Sequence, residues 1–109
     1  MQNNAFQPFG PTVLVTNGPV QVLTTNGMQA TSYRVRNLTT TNAYVAWGPA
    51  LNSGATPAIT AVAPTLLSVS VTNTIGMVAS SVEVFVLPNA AWFNGSAGGT
   101  FEVTPGEGI

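Results

Sequence analysis

The chain has no histidine, cysteine, lysine or aspartate, and its ionisable side chains reduce to Arg34, Arg36, Glu83, Glu102, Glu107 and the tyrosines Tyr33 and Tyr44. Proton transfer and nucleophilic catalysis draw mostly on His, Asp, Glu, Lys and Cys held beside one another. No enzyme is expected from this inventory, and no catalytic residue is assigned. Without cysteine there is neither a disulfide nor a thiolate ligand, and nothing follows about the redox compartment. A transition-metal site lacks its usual donors, and a calcium site would rest on carbonyls that no pattern here specifies, so no metal and no cofactor are expected. Gly95, Gly98 and Gly99 lie between β-type runs with no lysine and no following helix, which excludes a phosphate-cradling loop.

Charge is scarce as well. Charged residues make up 5% of the chain, against about 25% in an average soluble domain. Two arginines are too few for the several phosphate contacts that nucleic-acid affinity requires. No apolar run approaches the roughly 20 residues of a membrane span, and residues 1–10 lack the basic and apolar regions of a secretory signal. The expectation is a soluble, non-exported product with no nucleic-acid or membrane partner. A surface with so little charge does little to keep copies apart, so the chain is expected to function assembled with something.

What is present is β-forming. The 109 residues suit one domain, and the 45% apolar content is carried by Val, Ala, Leu and Ile alongside 11 Gly and 8 Pro. Residues 1–11 (MQNNAFQPFGP) show neither helical nor strand period and read as an extended arm anchored by Phe6 and Phe9; residues 12–109 read as a single domain. The phenylalanines either cover the edge of the chain's own core or dock the arm on a neighbour.

From Thr12 onward, short apolar runs alternate with turn dipeptides. Runs 12–16 (TVLVT) and 20–24 (VQVLT) flank Asn17-Gly18-Pro19, and a second turn signal follows at Asn26-Gly27. Run 32–37 (SYRVRN) puts Tyr33 and Val35 on one face and Arg34 and Arg36 on the other. Strands are expected at 43–47 (AYVAW), briefly at 58–62, then at 66–72 (LLSVSVT), 74–78 (TIGMV), 82–87 (VEVFVL) and 100–104 (TFEVT). Within 82–87 the valines Val82, Val84 and Val86 are assigned to the core, with Glu83, Phe85 and Leu87 outward or at a boundary. No segment longer than about ten residues keeps a helical period, so the expected fold is an antiparallel β-sandwich, a jelly roll or related Greek key, with a small barrel as second choice.

Few side chains remain as candidates for recognition. Glu83, Glu102 and Glu107 could in principle supply paired carboxylates, but isolated glutamates on strands and in a Gly-rich tail (PGEGI) read as solubilising groups. Arg34 and Arg36 carry all the positive side-chain charge on one strand face; they either pair with Glu83 or Glu102 or meet an acidic partner. Tyr44 and Trp47 are assigned to the core, whereas the adjacent Trp92 and Phe93 point to opposite sides, so that one of them faces a surface or interface. The sequons at Asn37 and Asn94 read as chance matches in a chain this rich in Asn and Thr. The interface candidates are Phe6, Phe9, Arg34, Arg36, Trp92 and Phe93.

The run YRVRNLTTTNAYVAWG, the small-residue loop after it and the strand pair IGMVASSVEVFVL are similar to virion β-sandwich proteins. The whole chain, with its arm and uncharged sandwich, resembles the small decoration (cement or staple) proteins on the heads of tailed bacteriophages. That resemblance implies a structural protein made in the host cytoplasm and carried on the outer capsid surface. Its partner would be the major shell protein, bound across subunit junctions, and the protein would itself be a homo-oligomer, dimer or trimer. No small-molecule ligand is expected. The alternative is a carbohydrate-binding sandwich, a fibre or receptor module, reading sugars with Trp92 or Trp47 and neutral Asn and Thr donors.

Overall fold

The computed structural model describes residues 5–25, 29–59, 61 and 73–108. Within them the chain is all β: β1 (Gln7–Pro8), β2 (Val13–Val15), β3 (Val20–Gln21), β4 (Ser32–Asn37), β5 (Ala43–Gly48), β6 (Thr74–Met77), β7 (Val82–Val86), β8 (Trp92–Gly95) and β9 (Phe101–Glu107). The expected turn at Asn26-Gly27 and the expected strand at 66–72 lie outside the described residues.

Two antiparallel sheets pack face to face. β1 and β2 lie along the same side of β9 and form one interrupted edge strand, giving the order β1/β2-β9-β4-β7 in the first sheet and β3-β8-β5-β6 in the second. Counted inward from both ends of the chain, β1/β2 pairs with β9, β3 with β8, β4 with β7, and β5 with β6. That is one long antiparallel hairpin rolled up into two sheets, the connectivity of a jelly roll.

Period-two alternation explains which side chains fill the space between the sheets. Val15, Tyr33, Val35, Phe101 and Val103 enter from the first sheet and Ala43, Val45, Met77 and Phe93 from the second, all of them buried. The Tyr33 and Phe93 rings meet tilted across the interior, with centroids 4.9 Å apart. The Tyr33 hydroxyl donates to the Ala90 carbonyl, so its buried polar end is satisfied.

Three expectations are corrected here. Phe85 and Leu87, not the valines, pack against the core from β7, because Phe85 is registered opposite Tyr33 and shares its inward face. Tyr44 stands on the outer face of the second sheet opposite Gly76, which leaves room for its ring, while Trp47 keeps its inward position opposite Phe93. Residues 58, 59 and 61 form no strand. Instead the loop after β5 folds back over the second sheet, with Pro57 and Ile59 against Gly48, where an added Cβ would come within 2.7 Å of Ile59. The N-terminal segment is extended and lies along the first sheet from Gln7, with Phe6 over Gly106.

Pro105 accounts for the break in the edge strand. The Phe9 N–H donates to the Pro105 carbonyl at 2.8 Å, but Pro105 has no N–H to return the bond. The Phe9 carbonyl instead accepts from both the backbone N–H and the side-chain hydroxyl of Thr25, each at 2.8 Å. One missing donor thus ties the N-terminal segment to the connection leaving β3.

Candidate interaction face

The outward side of the first sheet brings together residues that the sequence could only place one strand at a time. Cross-strand register puts Leu14, Glu102, Arg36 and Val82 in one row and Thr104, Arg34 and Val84 in the next, with Thr12 joined to Thr104 by a 2.7 Å hydroxyl bond. Beside them the N-terminal segment runs antiparallel along the edge of β9. The result is a groove of about 680 Å³ lined by Phe6, Pro8, Gly10, Pro11, Thr12, Arg34, Val84 and Thr104. A smaller recess of about 120 Å³ adjoins it between Arg34, Arg36 and Glu102.

The two arginines differ in availability. Arg36 lies 3.8 Å from Glu102, a solvent-exposed pair in which both side chains keep much of their surface open. Such a pair contributes at most about 1 kcal/mol. Arg34 is exposed, lines both recesses and has no ion-pair partner among the described residues. It is therefore the cation whose planar donor fork is open to an incoming carboxylate or carbonyl. Glu83 stands on β7 opposite Val35, on the side of the sheet away from Arg34, and Glu107 lies at the end of β9.

The sequence-derived candidates therefore divide. Phe6 and Arg34 meet at the groove, Arg36 borders it, and Phe9 serves mainly through its backbone bonds. Trp92 is half-buried on the outer face of the second sheet, opposite Gly48. Phe93 is withdrawn as an interface residue: it is 0% exposed in the core. Thr12, Leu14 and Thr104 carry no sequence signal of their own beyond the strict alternation in TVLVT, which sets Leu14 on the face opposite Val13 and Val15, and Val84, expected in the core, lines the groove instead. Leu14 is 58% exposed.

Both asparagines of the sequons are structural. The Asn37 side chain donates to the Met77 and Val78 carbonyls and accepts from the Thr39 N–H, fixing the corner between the sheets. The Asn94 side chain accepts from the Gly18 N–H and donates to the Ile59 carbonyl, each at 2.7 Å. Each amide nitrogen is engaged inside the fold and neither offers a glycan acceptor.

A separate cleft of about 340 Å³ opens at one end of the sandwich, lined by Trp47, Pro49, Asn73, Val86, Pro88 and Asn89 among others, none of them charged. No family model, curated protein or solved structure matches the chain.

Proposed function

We propose that this chain is a structural virion protein that decorates a phage capsid, binding across shell subunits through the outer face of the sheet β1/β2-β9-β4-β7. The observation that carries the reading is the groove in which Arg34, with no ion-pair partner among the described residues, is flanked by Phe6, Pro8, Pro11 and Val84. An arginine ringed by apolar contacts that exclude water is the usual make-up of an interface hot spot. A shell repeats the same acceptor many times, so contacts that are weak singly add up through avidity. The poverty of other chemistry agrees with a role in holding subunits together.

The test is binding to shells prepared without the protein. Arg34→Ala and Phe6→Ala are each expected to lower occupancy about 10- to 100-fold, as for a hot-spot truncation, with thermal stability nearly unchanged. Undiminished occupancy in both variants would overturn the proposed contact face. The copy number on native particles should be close to that of the shell protein or a simple fraction of it.

One observation favours carbohydrate recognition as a second reading. Trp47 lines the uncharged cleft together with Asn73 and Asn89, an aromatic wall beside neutral amides. Jelly rolls serve both capsid and lectin domains, so the fold favours neither. A glycan-array signal lost in Asn89→Ala would move the function to that cleft.

A further inference from the structure

The far edge of β7 is the longest open strand edge among the described residues. At the two ends of the β4·β7 ladder, the Asn37 N–H donates to the Ser81 carbonyl and the Leu87 N–H to the Thr31 carbonyl, both at 2.9 Å. Odd-numbered positions of this strand therefore turn their backbone groups toward β4. By the alternation of an antiparallel strand, Val82, Val84 and Val86 turn theirs away, toward an edge that no described strand pairs.

Exposed edges are normally blunted by brevity, proline, charged side chains including inward-pointing ones, or bulges, and glycine weakens a strand. The other edges here show such devices: Pro8 and Pro11 interrupt β1/β2, β3 has 2 residues and follows Pro19, and β6 has 4 residues including Gly76. By contrast β7 has 5 residues without proline or glycine; its one charge, Glu83, lies on the core side of the sheet opposite Val35, and the flanking Val82 and Val86 side chains are 44% and 59% exposed.

We infer that β7 is a self-pairing edge, and that a second copy of this chain adds its own β7 antiparallel across a two-fold axis at Val84. The strand VEVFV is suited to this because its edge-facing positions are symmetric about the centre. With Val84 opposite the partner's Val84, Val82 meets the partner's Val86, and every outward N–H and C=O of the three valines finds a complement. The valine side chains of both copies join into one apolar stripe. Glu83 falls opposite the partner's Phe85 rather than against another carboxylate, so no like charges oppose each other. Joining the sheets this way leaves both Arg34 grooves on the same outer face.

A single strand pair buries well under the roughly 1,200 Å² of a standard stable interface. The dimer is accordingly concentration-dependent, and a shell that gathers many copies would favour it. The inference stands on the edge geometry and does not require a particle. Its test reads mass in solution, whereas the test of the proposed function reads occupancy on shells.

Sedimentation equilibrium over a wide concentration range should show the mass doubling. Val84→Pro removes an N–H that no described intrachain ladder uses, at a position where edge strands accept proline, and is expected to leave a monomer. Val82→Lys combined with Val86→Lys places like charges opposite each other across the axis and should also abolish the dimer, which covers the case in which the proline variant fails to fold. Wild-type protein that stays monomeric throughout overturns the inference, as does a dimer that survives both variants. Amides of Val82, Val84 and Val86 that are protected from exchange equally at all concentrations in a monomer would show the edge covered by the chain itself, and would overturn it too.

Discussion

At the residue scale, a chain with so few charges holds its corners with amides and hydroxyls. Asn94 joins the turn at Gly18 and the loop at Ile59 to β8 through bonds of 2.7 Å. Asn94→Ala takes the side-chain donor from the Ile59 carbonyl and leaves the Gly18 N–H only its 3.0 Å bond to the Thr16 carbonyl, and should cost about 1–3 kcal/mol in urea unfolding. Tyr33 offers a pH signature. Burial raises its phenol pKa above the ordinary 10.0, so the folded state holds the proton more tightly than the unfolded chain does. The stability this contributes is complete below the unfolded value and is lost as pH rises through the higher folded value. Thermal melts should decline in the alkaline range, and Tyr33→Phe should flatten that decline while lowering stability at neutral pH through loss of the bond to Ala90.

At the element scale, the N-terminal segment depends on one glycine. A Cβ at Gly106 would strike the Gln7 carbonyl oxygen and come within 2.7 Å of the Phe6 ring, so β1 can lie on β9 only where that position has no side chain. Gly106→Ala should lift residues 6–8 from the sheet, seen as faster amide exchange there, with the core rings still giving a native near-ultraviolet spectrum. The sandwich and most of its strands were legible because alternation such as SYRVRN states both the strand and its buried face. In VEVFV the same logic failed: valines occupy one parity and Glu83 and Phe85 the other, so hydropathy favoured the valines. The register with Tyr33 decided for Phe85, and that pairing lies 52 residues away in the chain. The groove was invisible for a related reason, since Arg34, Val84 and Thr104 come from three strands and Phe6 from the segment before β1. Pro105 and Gly106 read as a tail, yet β9 continues to Glu107 because β1 and β4 pair with it on either side.

At the scale of the whole molecule, the near absence of charge separates what salt can change from what it cannot. The fold contains one ion pair among the described residues, Arg36 with Glu102, and that pair is exposed. Screening it removes less than about 1 kcal/mol, while the buried core and the backbone ladders are indifferent to the Debye length. Unfolding free energy should therefore change by no more than about 1 kcal/mol between low salt and about 1 M sodium chloride. The attachment proposed through Arg34 should behave differently, because its guanidinium is exposed. Occupancy on shells should fall several-fold over the same range, and Arg34→Ala should be weak at every salt concentration. A salt-insensitive attachment alongside an intact fold would place the recognition on apolar and backbone surface, with the open edge of β7 and the Phe6 side of the groove as the regions to examine next.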